Sequence, residues 1–195
     1  MKAALIIFIQ QPLPGEIITK SGEALSEREV FSIQQQLSLH TYYTSINVSA
    51  DKFLFYSNTI QHEDTWVNDA YKKYLQQGED LSKRMRHAME IIFQQGYSKA
   101  IIVCRQNIEI ESFHLQRAFD VLNDYDIVIG PSQDGGYYLI GMKKLHHELF
   151  ADKMAGKSSL LQQTLNDITK LRLTYHLQQV LGDGIEDEYL LHHRQ

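Results

Sequence analysis

Residues 127–142 read I-V-I-G-P-S-Q-D-G-G-Y-Y-L-I-G-M, two apolar runs around a polar loop, and no other stretch restricts the fold as much. Parallel neighbours need a crossover of about a dozen residues or more, and this loop is too short for one. The two runs, Ile127–Ile129 and Tyr137–Gly141, are therefore expected to be antiparallel neighbours or steeply crossing strands. Pro131, Asp134 and the pair Gly135-Gly136 fill the loop between them. Glycines permit positive φ and let backbone come close to a ligand. Asp134 then stands at the lip of a sheet, where binding residues concentrate. Asp before Gly is also ordinary turn chemistry, because the carboxylate can bond backbone two residues on. The residues alone leave both readings open.

Ala3–Ile9 is continuously apolar and rich in isoleucine, the pattern of a strand covered on both faces. Phe53–Tyr56 and Ala100–Val103 repeat it, and Tyr71–Leu75 is a weaker candidate. Helical patterns separate these runs. Ser26 with Glu29 spells a capping box ahead of Val30, Ile33 and Leu37, and the helix is expected to end near Ile46. Asp80 suits an N-cap before a stripe of Leu81, Met85, Ala88, Met89 and Ile92, with Gly96 as the stop. Ser112–Asn123 turns Leu115, Ala118, Phe119 and Leu122 inward. A further helix, capped by Ser158, runs to about Leu171 with Leu161, Leu165 and Ile168 on one face. Strand character resumes over Arg172–Tyr175, and a short acidic helix is expected from about Glu186. Strands alternating with helices imply one α/β domain over residues 1–195, doubly wound around a mostly parallel sheet.

Several functions are disfavoured. A formal net charge of -5 gives no basic face for nucleic acid. The single Cys104 forms no internal disulfide and suits a reducing compartment. The opening M-K-A-A-L-I-I-F-I meets Gln10 and Gln11 at once, unlike a signal peptide. No run approaches the roughly 20 apolar residues that span a bilayer, so a soluble, cytoplasmic protein is expected. Gly156-Lys157-Ser158 looks like the end of a P-loop, but Ala151 stands where its first glycine belongs. His146-His147 and His192-His193 are adjacent pairs, and neighbours on a helix do not share a face as metal ligands would. No G-x-S-x-G elbow is present. Lys83, Arg84 and Arg86 at a helix start form either a solvated face or an anion site helped by the helix terminus.

The order of several pieces carries more. Leu5-Ile6-Ile7-Phe8 runs into Pro12-Leu13-Pro14-Gly15; Asp80-Leu81-Ser82-Lys83-Arg84-Met85 follows; then comes Gly130–Gly141, and after it Gln163-Thr164-Leu165 and a tail over Gly182–Asp187. Over nearly its whole length the chain resembles the bacterial glycosyltransferase-A-like proteins of a domain of unknown function, within the nucleotide-diphospho-sugar transferase superfamily. The D-G-G-Y-Y-L-I-G match is the most specific. The resemblance implies a Rossmann-like GT-A fold: three layers, α/β/α, with a mostly parallel sheet and one antiparallel strand. It implies transfer from a nucleotide sugar, with Mg²⁺ or Mn²⁺ at the diphosphate, where a cation neutralises the developing charge. It places Asp134 against sugar, acceptor or metal as the catalytic residue, with Gly135, Gly136 and Tyr137 beside the substrate. Gln11, Pro14 and Gly15 fall to the base, Lys20 and Arg84 to the diphosphate, and Asp183 to the metal.

The departures are as informative. The family's first loop reads like P-G-x-x-K-T-R-L, whereas Pro14-Gly15 leads here into Ile18 and Lys20 at its basic positions. Its third strand ends in G-T-D-S-P, whose Asp is the expected metal or ribose ligand. Those positions fall on Cys104-Arg105-Gln106-Asn107-Ile108, and the neutral Gln106 is a poor ligand for a hard dication. The D-x-D of the tail keeps Asp183, and a W-S-T segment is lost near Ala155-Gly156-Lys157. Arg105 and Gln106 remain nucleotide-binding candidates, with Arg105 able to stand in for the metal's charge. A nucleotidyltransferase acting on a phosphorylated small molecule, and a non-catalytic nucleotide- or sugar-binding protein, are the alternatives. The sequence is silent on oligomeric state.

Overall fold

A computed structural model describes residues 2–11, 26–66, 69–151 and 157–182. The strands are β1 (Ala3–Ile9), β2 (Asp51–Tyr56), β3 (Tyr71–Leu75), β4 (Lys99–Val103), β5 (Ile127–Pro131), β6 (Tyr137–Met142) and β7 (Tyr175–Leu177). The helices are α1 (Glu27–Ser45), α2 (Leu81–Gln94), α3 (Ser112–Val121) and α4 (Lys157–Lys170). Among the described residues the strands make one seven-stranded sheet, ordered β3-β2-β1-β4-β6-β5-β7. All pairings are parallel except those of β6, which runs antiparallel to both β4 and β5. Strand order leaves β1 for β2 and β3, then returns to the other side at β4. That reversal opens a crevice at the carboxyl ends of β1 and β4, where ligands of doubly wound sheets bind.

Both sheet faces are covered. Ala4, Ile6 and Phe8 of β1 meet Met85, Ala88, Met89 and Ile92 of α2 in one core. Leu5, Ile7 and Ile9 point the other way and share a core with Leu115, Ala118 and Phe119 of α3. Helix α4 joins the first layer through Ile168, and α1 packs Val30, Ile33 and Leu37 against Ile108. Leu81 departs from the expected stripe. It is 40% exposed at the first turn of α2, ahead of the helical turns that reach the sheet.

The Ser26–Glu29 capping box forms as expected, and Asp80 caps α2 by accepting from the Lys83 N–H. Helix α1 continues through its β-branched end because Thr41 Oγ1 donates to the Leu37 carbonyl (2.7 Å) and Ser45 Oγ to that of Thr41 (2.6 Å). Those hydroxyls bond inside the helix instead of competing with it. Helix α4 already includes Lys157, so Ser158 lies within it and is not its cap. The acidic helix expected from Glu186 lies outside the described residues.

Strand β7 starts at Tyr175, three residues later than the sequence pattern suggests. The cause is Arg172, whose φ of 56° is left-handed. Its N–H donates to the Thr169 carbonyl (3.1 Å) and that of Leu173 to the Ile168 carbonyl (3.1 Å), a Schellman ending for α4. A side chain at such a φ costs about 1–2 kcal/mol. Glycine removes that strain but adds about 0.4–1 kcal/mol of unfolded-state entropy. Arg172→Gly is therefore expected to stabilise the protein by about 0.5–1 kcal/mol. A urea midpoint that moves down instead of up would contradict this assignment.

Candidate functional site

The β5–β6 connection is a tight turn at the carboxyl end of β4. Ser132 N–H donates to the Gly136 carbonyl and Gly135 N–H to that of Ser132, both at 3.1 Å. Of the two glycines, Gly135 carries the positive φ, 81°. Its carbonyl accepts the Leu161 N–H of α4 at 3.0 Å, which fixes the turn to that helix. Asp134 answers both sequence readings with different oxygens. Oδ1 accepts from Ser132 Oγ (2.6 Å) and Gly136 N–H (2.9 Å). Oδ2 lies 3.8 Å from a guanidinium nitrogen of Arg105, across the end of β4.

Arg105 and Asp134 face one another in a cleft of about 100 Å³, which Asn107, Ser132 and Tyr137 also line. Leu81 of α2 and Leu160 of α4 supply apolar rim. Cys104 forms part of the floor, with Sγ 3.3 Å from Met85 Sδ. Burial pushes its thiol up to about 12, so it stays neutral and has no nucleophilic character at physiological pH. Gly182 completes the lining. It is held by Asn107 Nδ2 donating to its carbonyl (2.7 Å) and by its own N–H donating to Glu109 Oε2 (2.8 Å). Leu181 just before it pairs with Pro131 and Gln133 at the end of β5.

A larger cleft, about 410 Å³, opens at the ends of β1 and β2. Gln10 and Gln11 meet Gln34, Gln35 and Phe31 of α1 there, opposite Glu63 and Trp66. Gln11 braces the facing loop: its Nε2 donates to the Thr59 carbonyl (3.0 Å) and its Oε1 accepts from Asn58 and Thr59 N–H (3.0 and 2.9 Å). Tyr56 Oη and Lys73 Nζ both donate to Asp64, at 2.5 and 2.8 Å. That cluster stiffens the opposite wall.

The structure thus gathers Asp134, Gly136, Tyr137 and Arg105 at one cleft and Gln11 at the other. Gly135 acts through its backbone. Arg84 is turned back, Nε donating to the Gly78 carbonyl at 3.0 Å, while Lys83 pairs with Glu79 and Asp80. This basic cluster is held by its own neighbours. Gln106 is buried and donates to Thr41 Oγ1 of α1 at 3.3 Å, so the position expected to carry a ligand-binding group ties a strand end to a helix. Pro14, Gly15, Lys20 and Asp183 lie outside the described residues. Sequence reasoning missed Ser132, Asn107, Leu81 and the α1 glutamines. Phe31 was the one available signal, an aromatic outside the buried stripe of α1 and 59% exposed.

Among the described residues, no three His, Cys, Asp or Glu side chains come together to hold a metal ion. Among the described residues, the donors at the strand ends do not suit one either. Asp134 Oδ1 is engaged by two hydrogen-bond donors and Oδ2 faces a cation, whereas Mg²⁺ and Ca²⁺ select several oxygen ligands. No helix among the described residues is long and apolar enough to cross a membrane.

Comparison with known proteins fits this geometry. The DUF2064 family model, described as an uncharacterized protein conserved in bacteria, matches residues 44–157, which include Arg105 and the Asp134 turn. A crystal structure from Desulfovibrio desulfuricans G20, of a protein proposed to be a nucleotide-diphospho-sugar transferase, is 25% identical with a TM-score of 0.84. The match covers 99% of this chain and 87% of that one. CMP:2-keto-3-deoxy-manno-octonic acid synthetase complexed with CTP shares the fold at 9% identity and a TM-score of 0.54, over 98% of this chain and 96% of that one. 4-diphosphocytidyl-2C-methyl-D-erythritol synthase from Anaerococcus prevotii DSM 20548 does so at 10% identity and 0.54, over 93% and 86%. A search of curated proteins gave no match.

Proposed function

The chain belongs to the DUF2064 family of bacterial proteins, and from that premise we propose that it binds a nucleoside-diphosphate sugar across the carboxyl ends of β1 and β4 and transfers the sugar beside Asp134. The observation that carries this reading is the pair of clefts flanking the strand reversal. Small-molecule sites are typically about 300–1,000 Å³. The larger cleft, at 410 Å³, reaches that range alone, whereas 100 Å³ suits only one pendant group. The larger wall is rich in glutamine amides with Phe31 at its edge, a neutral surface with donors and acceptors for a base. The smaller cleft carries Arg105 and Asp134, charged chemistry suited to the reacting sugar as that one group. Asp134 takes the acceptor's proton as transfer proceeds, the task of a positioned carboxylate.

Pro14 and Gly15 join the base site and Lys20 the diphosphate in this proposal. Asp183 follows Gly182, which lines the smaller cleft, and adds a late carboxylate. The single buried cysteine suits work in the cytoplasm.

A thermal-shift panel of nucleotides and sugar nucleotides tests the reading. A ligand at 100 times its Kd stabilises by about 2.7 kcal/mol, a rise in Tm of roughly 5–11 °C for a chain of this size. At least one sugar nucleotide is expected to give such a shift and to release a nucleoside diphosphate when an acceptor is supplied. Stabilisation by nucleoside triphosphates alone, with pyrophosphate released, would replace transfer of a sugar by transfer of a nucleotide.

A further inference from the structure

We infer that the peptide unit joining Ile110 to Glu111 is an acid-released clamp on the strand-end connection that shapes the smaller cleft. Two imidazoles hold that one peptide, at its carbonyl and at its N–H. His40 of α1 places Nε2 2.8 Å from the Ile110 carbonyl, and His114 of α3 accepts the Glu111 N–H at Nδ1, 3.0 Å away. A carbonyl takes only a donor, so His40 carries its hydrogen on Nε2. Nδ1 of His114 must be bare to accept, which leaves its hydrogen on Nε2, an atom that is also buried.

The clamped peptide reaches the cleft through a short relay. Ile110 N–H donates to the Asn107 carbonyl (3.2 Å) and Glu109 N–H to Asn107 Oδ1 (2.7 Å). Asn107 and Glu109 together hold Gly182, and both Asn107 and Gly182 line the cleft. His114 also meets the chain that leads to Gly182, its carbonyl accepting from Gln178 Nε2 at 3.0 Å.

The two histidines answer acid in opposite ways. A protonated His40 still donates to the Ile110 carbonyl. A protonated His114 turns Nδ1 from acceptor to donor, sets it against the Glu111 N–H and loses that bond. Facing this ring are the Glu111 carboxylate at the start of α3, the Tyr138 ring of β6 and, beyond the shared peptide, His40. Arg117, one turn along α3, is exposed. Burial lowers the pKa of His114, and the Glu111 charge offsets part of that. Burial pushes Tyr138 up to about 12, so it stays neutral. With its pKa lowered in the closed state, His114 binds more protons in the open one. The clamp is therefore complete above the ordinary value of 6.5 and weakens as pH falls below it.

NMR of the full chain between about pH 7.5 and about 5.5 tests this without any ligand, and so apart from the nucleotide-sugar reading. At the upper limit, imidazole nitrogen shifts are expected to place the hydrogen of both His40 and His114 on Nε2. Amide protection factors at Glu111 and Gly182 should fall together below 6.5, by up to about tenfold per pH unit. Ile6, in the middle of β1, is the internal reference for opening of the whole fold. His114→Gln is the control, because glutamine at the third helical position can hold the same backbone N–H and does not titrate. Both amides should keep their protection in it throughout. A His114 hydrogen on Nδ1, level protection at either amide, a matching fall at Ile6, or an equal loss in His114→Gln overturns the inference. If that variant does not fold, the difference between the two amides and Ile6 decides.

Discussion

Changing Asp134 to asparagine is expected to lower sugar-transfer turnover at least about 100-fold, the loss typical of a missing general base, while the protein melts close to wild type. Asparagine keeps an oxygen at Oδ1, so the bonds from Ser132 Oγ and Gly136 N–H survive. The charge facing Arg105 at 3.8 Å is removed. Asp134→Ala differs because it deletes both acceptor contacts, worth about 1 kcal/mol each. Its Tm should fall by roughly 4–8 °C. Initial rates of nucleoside diphosphate release, read beside melting curves, check both variants. Wild-type turnover in Asp134→Asn would remove Asp134 from the chemistry.

A large stability effect is expected at Gly141, the penultimate residue of β6. A Cβ there would stand 2.7 Å from Ile101 Cγ1 and 2.8 Å from Val128 Cγ1, with the Ala100 carbonyl at 3.3 Å. Ile101 on β4 and Val128 on β5 are its register partners and are wholly buried. Neither can swing into solvent, and both sit beneath the α3 layer. Overpacking a core costs about 1–3 kcal/mol, and strands crowded on both sides put Gly141→Ala at the upper end. A loss of about 3 kcal/mol lowers Tm by roughly 6–12 °C. A drop below about 2 °C would mean that β4 and β5 separate more easily than their pairing suggests.

Local signals carried much of this architecture. The apolar run of β1, the Ser26–Glu29 box and the Asp80 cap each specify an element by nearby chemistry. Loop length narrowed β5 and β6 to antiparallel neighbours or steeply crossing strands, and the ladder is antiparallel. What the sequence hid is set by distance. Leu81 belongs to a helical stripe by spacing, yet it faces a cleft because its turn precedes the contact with the sheet. Gln106 marks an absent carboxylate in sequence, while its burial against Thr41 depends on how α1 crosses β4, 65 residues away in the chain. Arg172 concealed the start of β7 because a left-handed φ at a non-glycine residue leaves no trace in hydropathy. The larger cleft needed α1 and the loop after β2 brought together, which no single stretch encodes.

The reversed direction of β6 has a mechanical consequence. Helix-bearing connections supply most of the ligand edge of a parallel sheet, and such segments are generally the more mobile and variable parts of a fold. Here one reversed strand brings a hairpin to that edge, hydrogen-bonded to β5 along its length and fixed to α4 through Gly135. The crevice therefore has walls braced in different ways: one, holding Asp134, by the strand ladder itself, and the other, of α1 glutamines and the loop after β2, by side-chain hydrogen bonds from Gln11, Tyr56 and Lys73. Under the proposed function, such a division lets nucleoside preference be re-engineered at Phe31, Gln34 and Gln35 while Asp134 stays in place.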